Sequence, residues 1–379
     1  MSFTAEDSHF MAQALRLAER GLNSTSPNPR VGCVLVRDGL VVGEGWHERA
    51  GGPHAEVMAL HQAGEAARGA TAYVSLEPCN HQGRTPACTE ALIDAGISRV
   101  IAALTDPNPL VSGKGLDRLA AAGMDTAVGL LETEALALNR GFCKRMTKGL
   151  PWVFSKLAMS LDGRTAMASG ESRWITGPEA RRDVHRLRAR SCAILTGIGT
   201  VLSDDPFLTA RYSSTQPSLP SREGEISSDI ERQPARIVVD SRFRLPPAAK
   251  LLSQPGRTLI IGLQTESKAA ASLRDAGAEI HFLPAGLDAR VDLNALMELL
   301  GQFAFNEVMV EAGGTLNGEL LRDGLVDEWV VYLAPCVLGD RGRGLFHLPD
   351  LERMADRFEL AFKDVRKVGK DIRITLQKA

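Results

Sequence analysis

One imidazole and two thiols well separated along the chain, His54, Cys79 and Cys88, carry the donors of a metal site, and a fold that serves them must bring all three to one point. Three protein ligands leave a fourth tetrahedral position for water, the arrangement of catalytic zinc. Glu56 supplies a carboxylate close to such a metal and can take the proton that an activated water releases. On an ideal helix residues i and i+2 point about 200° apart. His54 and Glu56 therefore share a cavity only if His54 stands at the helix start, where Gly51-Gly52-Pro53 gives an irregular entry. Cys79 follows a strand end and Pro78, and Cys88 lies near the next helix start after Pro86. Helix N-termini aimed at one point favour the thiolates. A closed structural site would need a fourth ligand, for which His81 is the sequence-local candidate.

At 379 residues the chain exceeds what one core usually organises, so two domains are expected. A hydrophobic content of 44% and a charged content of 24% are ordinary for a soluble globular protein. The net charge of −2 and the 5% aromatic content argue against a nucleic-acid surface. No apolar run approaches the roughly 18 residues of a membrane span, and the acidic, amphipathic N-terminus reads as a helix, not a signal peptide. Six cysteines at irregular spacing do not form a disulfide scaffold. Cys33, Cys143, Cys192 and Cys336 sit beside apolar residues and are expected to be buried, in a reducing cytoplasm.

Apolar periodicity predicts a helix over 7–20, then a hairpin of VGCVLVR and LVVGEGW turning at Asp38-Gly39. Helices over 54–65, 86–95, 114–122 and 132–147 alternate with strands over 71–76, 99–104 and 124–128, which predicts an α/β sandwich with a largely parallel sheet. The pattern restarts near Lys148-Gly149-Leu150-Pro151, giving domains of 1–147 and 148–379. The second opens on the strand WVFSKLAMS and holds a helix over 178–189. Further strands are expected near 192–196, 236–240, 258–262, 279–282, 306–310 and 326–334, with a final strand DIRITLQ. The Ser-, Pro- and charge-rich stretch 213–234 is expected to be an exposed loop.

A His-x-Glu followed by Pro-Cys and a second Cys is the pattern of zinc deaminases acting on heterocycles. The stretch EPCNHQGRTPAC, with AGGPHAEV and SPNPRVGCV before it, resembles the bifunctional deaminase–reductase family of riboflavin biosynthesis. Eight residues separate the paired cysteines here, as in that family, where other zinc deaminases have two. The resemblance implies a cytidine-deaminase-like α/β/α domain in which Asn28, His47, Arg84 and Asn108 line the substrate site. Asparagine offers paired donor and acceptor groups to a ring edge, and arginine a fork to an anion.

In the second domain SKLAMSLDGR, ESRWIT, GIGTVLSDDPFLTAR and VEAGGTLNGELL resemble the reductase part of the same family, whose fold is like dihydrofolate reductase. Gly313-Gly314 lets backbone approach a ligand, and the helix after it presents free N–H groups. NADPH is implied as hydride donor, on Ala158, Trp174, Thr200, Asp204, Ser241, Gly313, Gly314, Thr315, Leu316, Asn317, Gly318 and Glu319. Ser172, Thr176, Arg188, Leu208, Arg211 and Glu311 are implied to hold the sugar-phosphate substrate, with Lys156 helping to orient the sugar. Of the arginines on the 178–189 helix, one or two facing inward suffice for a phosphate, and the others read as a solvated face.

The implied function is zinc-dependent deamination of 2,5-diamino-6-ribosylamino-4(3H)-pyrimidinone 5′-phosphate, followed by NADPH-dependent reduction of the ribosyl to the ribityl side chain. A cytoplasmic homo-oligomer with a small phosphorylated pyrimidine substrate, and with neither nucleic acid nor membrane as partner, goes with it. Two rivals are a nucleic-acid base deaminase and a deaminase with a non-catalytic second domain.

Overall fold

The computed structural model describes residues 3–80, 87–109, 111–211, 232–263 and 267–379. His81, Arg84 and most of the stretch 213–234 lie outside them. The chain divides into two compact units, Met1–Leu150 and Pro151–Ala379.

The first unit begins with α1 (Ala5–Glu19), β1 (Gly32–Arg37), β2 (Leu40–Trp46), α2 (Ala55–Ala63) and β3 (Thr71–Val74). It continues with α3 (Cys88–Asp94), β4 (Arg99–Ala102), α4 (Lys114–Ala121), β5 (Asp125–Val128), α5 (Glu132–Leu138) and α6 (Arg140–Lys148). The sheet order is β2-β1-β3-β4-β5, with β1 antiparallel to both neighbours and the remainder parallel. Asp38 (φ 52°) and Gly39 (φ 74°) make the tight turn between β1 and β2, as their residue types predict. Residues of β1 alternate between two cores. Val34 and Val36 join Phe10, Met11 and Phe142 from α1 and α6, while Cys33 and Leu35 join Ala55, Leu92 and Leu119 from α2, α3 and α4. The result is a three-layer sandwich.

Two glycines set how closely α2 rides on the sheet. A Cβ on Gly43 would stand 2.3 Å from the Ala59 carbonyl oxygen, and one on Gly45 2.3 Å from that of Ala55. The backbones touch where any side chain would separate them. The helix expected over 132–147 is two helices broken at Asn139 (φ −109°, ψ 18°). The buried Asn139 amide accepts from the Arg30 N–H and donates to the Arg30 carbonyl, each at 2.8 Å, and that long-range pair overrides the local helical pattern.

The second unit runs β6 (Trp152–Ser160), β7 (Arg164–Ala166), α7 (Pro178–Arg190), β8 (Ala193–Gly197), α8 (Ile198–Asp204), β9 (Ala235–Val239) and β10 (Thr258–Leu263). Then come α9 (Lys268–Asp275), β11 (Glu279–Leu283), α10 (Leu293–Gln302), β12 (Glu307–Val310) and α11 (Gly314–Arg322). The last elements are β13 (Glu328–Ala334), β14 (Arg343–Gly344), β15 (Leu360–Val368) and β16 (Asp371–Lys378). The main sheet has nine strands in the order β11-β10-β9-β8-β12-β6-β13-β16-β15. The pairs from β11 through β13 are parallel, and β16 and β15 add antiparallel pairs. Among the described residues Ile198, Val238, Phe243 and Ile260 share one core of this unit, and Phe154, Leu187, Met309 and Tyr332 another. Strand β15 escapes the apolar pattern because it is an outermost strand with mostly exposed and half-exposed residues. Among the described residues no helix is long and apolar enough to cross a membrane.

Candidate active sites

His54 is the N-cap of α2, with extended backbone (φ −79°, ψ 161°), so its ring leaves the helix axis that Glu56 belongs to. This is the geometry the i, i+2 spacing required. Cys88 opens α3, and Cys79 follows β3. The His54 Nδ1 lies 3.2 Å from the Cys88 Sγ and 3.5 Å from the Cys79 Sγ. Their donor atoms all fall within 4.8 Å of one another, the one such group of three among the described residues. A tetrahedral ion with bonds of about 2.0–2.3 Å has ligand–ligand edges of about 3.6 Å, so this donor set fits zinc.

The charges suit a cation. The hydrogen bond from the Cys88 thiol, and then His54, lower the Cys79 pKa to about 4 against the effect of burial, while the same bond and burial push the Cys88 thiol far up. As a pair, Cys79 holds the charge and Cys88 the proton, which a divalent ion would displace. Glu56 is 3% exposed. Burial, and then the Cys79 charge, raise its pKa to about 7, near the operating point of a proton carrier.

His47 and Asn28 stand beside the centre. The His47 ring meets that of His54 edge-on at 5.4 Å. Its Nδ1 is 2.9 Å from the Pro53 carbonyl, so that nitrogen carries the hydrogen and the Nε2 accepts from the Asn28 amide at 3.0 Å. Burial lowers the His47 pKa and keeps the ring neutral. Asn28 is thereby oriented, while His47 itself is 3% exposed. Asn108 lies on a half-buried loop whose N–H donates to Asp106 at 2.8 Å. Arg84 is outside the described residues. Sequence reasoning missed Glu77. Its buried carboxylate accepts from the amides of Asp106, Gly113, Gly115 and Leu116 at 2.8–3.3 Å and so ties that loop to the strand leading to Cys79.

In the second unit a cavity of about 1600 Å³ lies across the C-terminal ends of β9, β8 and β12 and along β6. It is lined by Ala158, Trp174, Thr200, Asp204, Ser241, Gly313, Gly314, Thr315, Leu316 and Glu319, and by Lys156, Ser172, Thr176, Arg188, Leu208, Arg211 and Glu311. Asn317 and Gly318 are placed differently from the expectation. The Asn317 amide bonds Ser155 and the carbonyls of Ala312 and Gly313, and a Cβ on Gly318 would stand 2.3 Å from the His347 carbonyl oxygen. Both face the packed side of α11, one turn on from its open N-terminus.

Glu311 is the electrostatic centre of this cavity. Arg188 grips it with Nε and Nη2 at 2.5 and 2.9 Å, and the Lys156 ammonium stands 3.4 Å away. Burial would raise its pKa, but the charges of Arg188 and Lys156 outweigh that and hold it at about 2. A third Arg188 bond goes to the Thr209 carbonyl at 3.0 Å, so three of the guanidinium's five N–H groups are engaged within the protein. The helix arginines also face inward more than expected. Arg181 donates to the Thr176 carbonyl at 2.8 Å and stacks over Trp174, and Arg190 pairs with Glu307 at 2.7 Å. Cys336 is half-buried, unlike the other three non-ligand cysteines. His185, Tyr332 and His347 also line the cavity. No local motif announces them, because tertiary packing alone brings them there.

The second unit matches the RibD C-terminal domain model over residues 151–374, and the first matches the cytidine and deoxycytidylate deaminase zinc-binding region over residues 4–104. The chain is 52% identical over 372 residues to riboflavin biosynthesis protein RibD of Escherichia coli (strain K12), covering 97% of this chain and 98% of that one. It is 47% identical to the Haemophilus influenzae protein of the same name, over 99% of this chain and 98% of that one. Among solved structures, Acinetobacter baumannii RibD superposes with a TM-score of 0.89 at 44% identity, covering 99% of both chains. A Thermotoga maritima protein described as a diaminohydroxyphosphoribosylaminopyrimidine deaminase/5-amino-6-(5-phosphoribosylamino)uracil reductase superposes at 0.85 with 31% identity, again covering 99% of both.

Proposed function

The chain belongs to the RibD family of riboflavin biosynthesis and is a bifunctional deaminase and reductase, and we propose that the two reactions run at the two sites described above. The first is hydrolytic deamination of 2,5-diamino-6-ribosylamino-4(3H)-pyrimidinone 5′-phosphate, and the second is NADPH-dependent reduction of the ribosyl side chain to ribityl. The observation that carries the assignment is the convergence of His54, Cys79 and Cys88 beside a buried Glu56.

Zinc, when bound, furnishes a nucleophile at neutral pH by acidifying water. His54, Cys79 and Cys88 are the residues that hold it. Glu56 takes the proton released as the ring carbon is attacked and delivers it to the departing ammonia, a shuttle that its buried position beside the three donors supports. Asn28, with one amide N–H bonded to His47, has its carbonyl oxygen as the acceptor it can offer the ring. Arg84 and Asn108 complete our assignment of the pyrimidine site.

NADPH, when bound, supplies the hydride. We assign it to the wall formed by Ala158, Trp174, Thr200, Asp204, Ser241 and the start of α11, and the sugar phosphate to Ser172, Thr176, Arg188, Leu208, Arg211 and Glu311. Lys156, held by Glu311, keeps an ammonium beside the reacting sugar. We also propose a cytoplasmic homo-oligomer. The compartment is supported by six cysteines none of which is in a disulfide.

The decisive variant is Glu56→Gln. Deamination should fall by about 10²-fold or more, while zinc content measured by atomic emission stays near one per chain. Loss of the metal in that variant would overturn the division of roles between Glu56 and the three ligands.

A further inference from the structure

The stretch 172–176 belongs to the connection between β7, which ends at Ala166, and α7, which begins at Pro178. From it Trp174 lines the large cavity, with 61% of the residue exposed. A ring so exposed, on a stretch that is neither helix nor strand, is placed by its side-chain contacts.

Two arginines supply those contacts. Arg181, near the start of α7, stands over the Trp174 ring with its Cζ 4.5 Å from the ring centre, and its Nη1 donates to the Thr176 carbonyl at 2.8 Å. One guanidinium thus holds the stretch at two points, a ring and a carbonyl two residues further on. Arg173 anchors the residue before the ring. Its Nη2 donates to the Asp204 carbonyl at the end of α8 at 2.9 Å, and its Cζ is 5.9 Å from the indole, at the outer limit of a cation–π contact. Other arginines of α7 are used differently. Arg182 pairs with Glu179 at 3.1 Å, Arg188 with Glu311 at 2.9 Å and Arg190 with Glu307 at 2.7 Å. Of these four, Arg181 is the one whose charge faces a ring.

We infer that Arg181 is a positioning residue of the reductase site, setting the indole of Trp174 in place before the dinucleotide arrives. The inference rests on the reading of this cavity as the cofactor site. A ring held in advance spares the bound state the cost of ordering it. Arg181 acts through that ring and not on the cofactor itself.

A double-mutant cycle on the full chain tests this, with the Kd of NADPH measured by calorimetry. Arg181→Ala should weaken NADPH binding about threefold to tenfold, and the loss should appear in the KM for NADPH rather than in kcat. In a Trp174→Ala background the same substitution should cost nothing further. Equal factors lost with and without the indole overturn the inference, because Arg181 then acts independently of Trp174. Parent affinity in Arg181→Ala, where Trp174→Ala alone is weakened, overturns it too and leaves the cavity reading standing. If Trp174→Ala itself binds NADPH like the parent, the cavity reading fails at this wall and takes the inference with it. Arg181→Gln guards against a folding defect, since it keeps an N–H for the Thr176 carbonyl and removes the charge. It should keep the parent's thermal transition and repeat the loss seen with alanine. Parent affinity in that variant would assign the effect to the backbone bond and overturn the part given to the ring.

Discussion

His185 is a single ring whose surroundings decide its charge. It is 6% exposed in the wall of the large cavity. Burial first, then the charges of Arg188 and Arg211, lower its pKa to about 2, with Lys156 adding to them and Glu311 opposing. The unfolded chain binds a proton there below its ordinary pKa of 6.5, and the folded chain does not. Stability from this group is therefore complete above that pH and is lost as the pH falls, by about 1.4 kcal/mol per pH unit. Glu311, depressed from 4.5 to about 2, adds a loss of the same sign once the pH drops below 4.5. Urea unfolding of the second unit at pH 7, 6 and 5 should show a declining midpoint, and His185→Asn should flatten the decline between pH 6 and 5. An unchanged slope in the variant would show that other groups dominate. Nothing in the sequence marks His185, since it lies in an arginine-rich helix that reads as solvated. The zinc ligands and Glu56, by contrast, are legible because metal chemistry restricts both residue type and spacing. Glu77 falls between these cases: it adjoins Pro78-Cys79, yet its part depends on amides some thirty residues away.

Elements were legible where their pattern is local. The β1–β2 hairpin is fixed by Asp38-Gly39 and by alternation between two cores, both readable in a short window. The break between α5 and α6 is not, because Asn139 leaves the helix for a backbone partner at Arg30. The outermost strand β15 was missed for a different reason: its mostly exposed residues give no apolar alternation to read. Asn139→Ala would leave the N–H and carbonyl of the buried Arg30 without those bonds, at a cost of about 2–3 kcal/mol. Heating should then inactivate the deaminase several degrees earlier, while the reductase keeps its inactivation temperature. Equal shifts in both activities would mean that the two units unfold together.

At the scale of the molecule, two activities occupy two units, each with its own sheet and its own cores. The metal donors all belong to the first, and the large cavity is lined by the second. Chelation with dipicolinate should abolish ammonia release and spare NADPH oxidation when the deaminated pyrimidine is supplied. A parallel loss of both would tie the reductase to the metal. The bareness of Gly43 and Gly45 also bears on how this enzyme tolerates change. A methyl group at either position would wedge α2 off β2 and shift His54, the first residue to move with that helix. Random mutagenesis scored for failed deamination should thus gather hits at two sites that meet neither ion nor pyrimidine, and sorting such hits by proximity to the chemistry would misfile them.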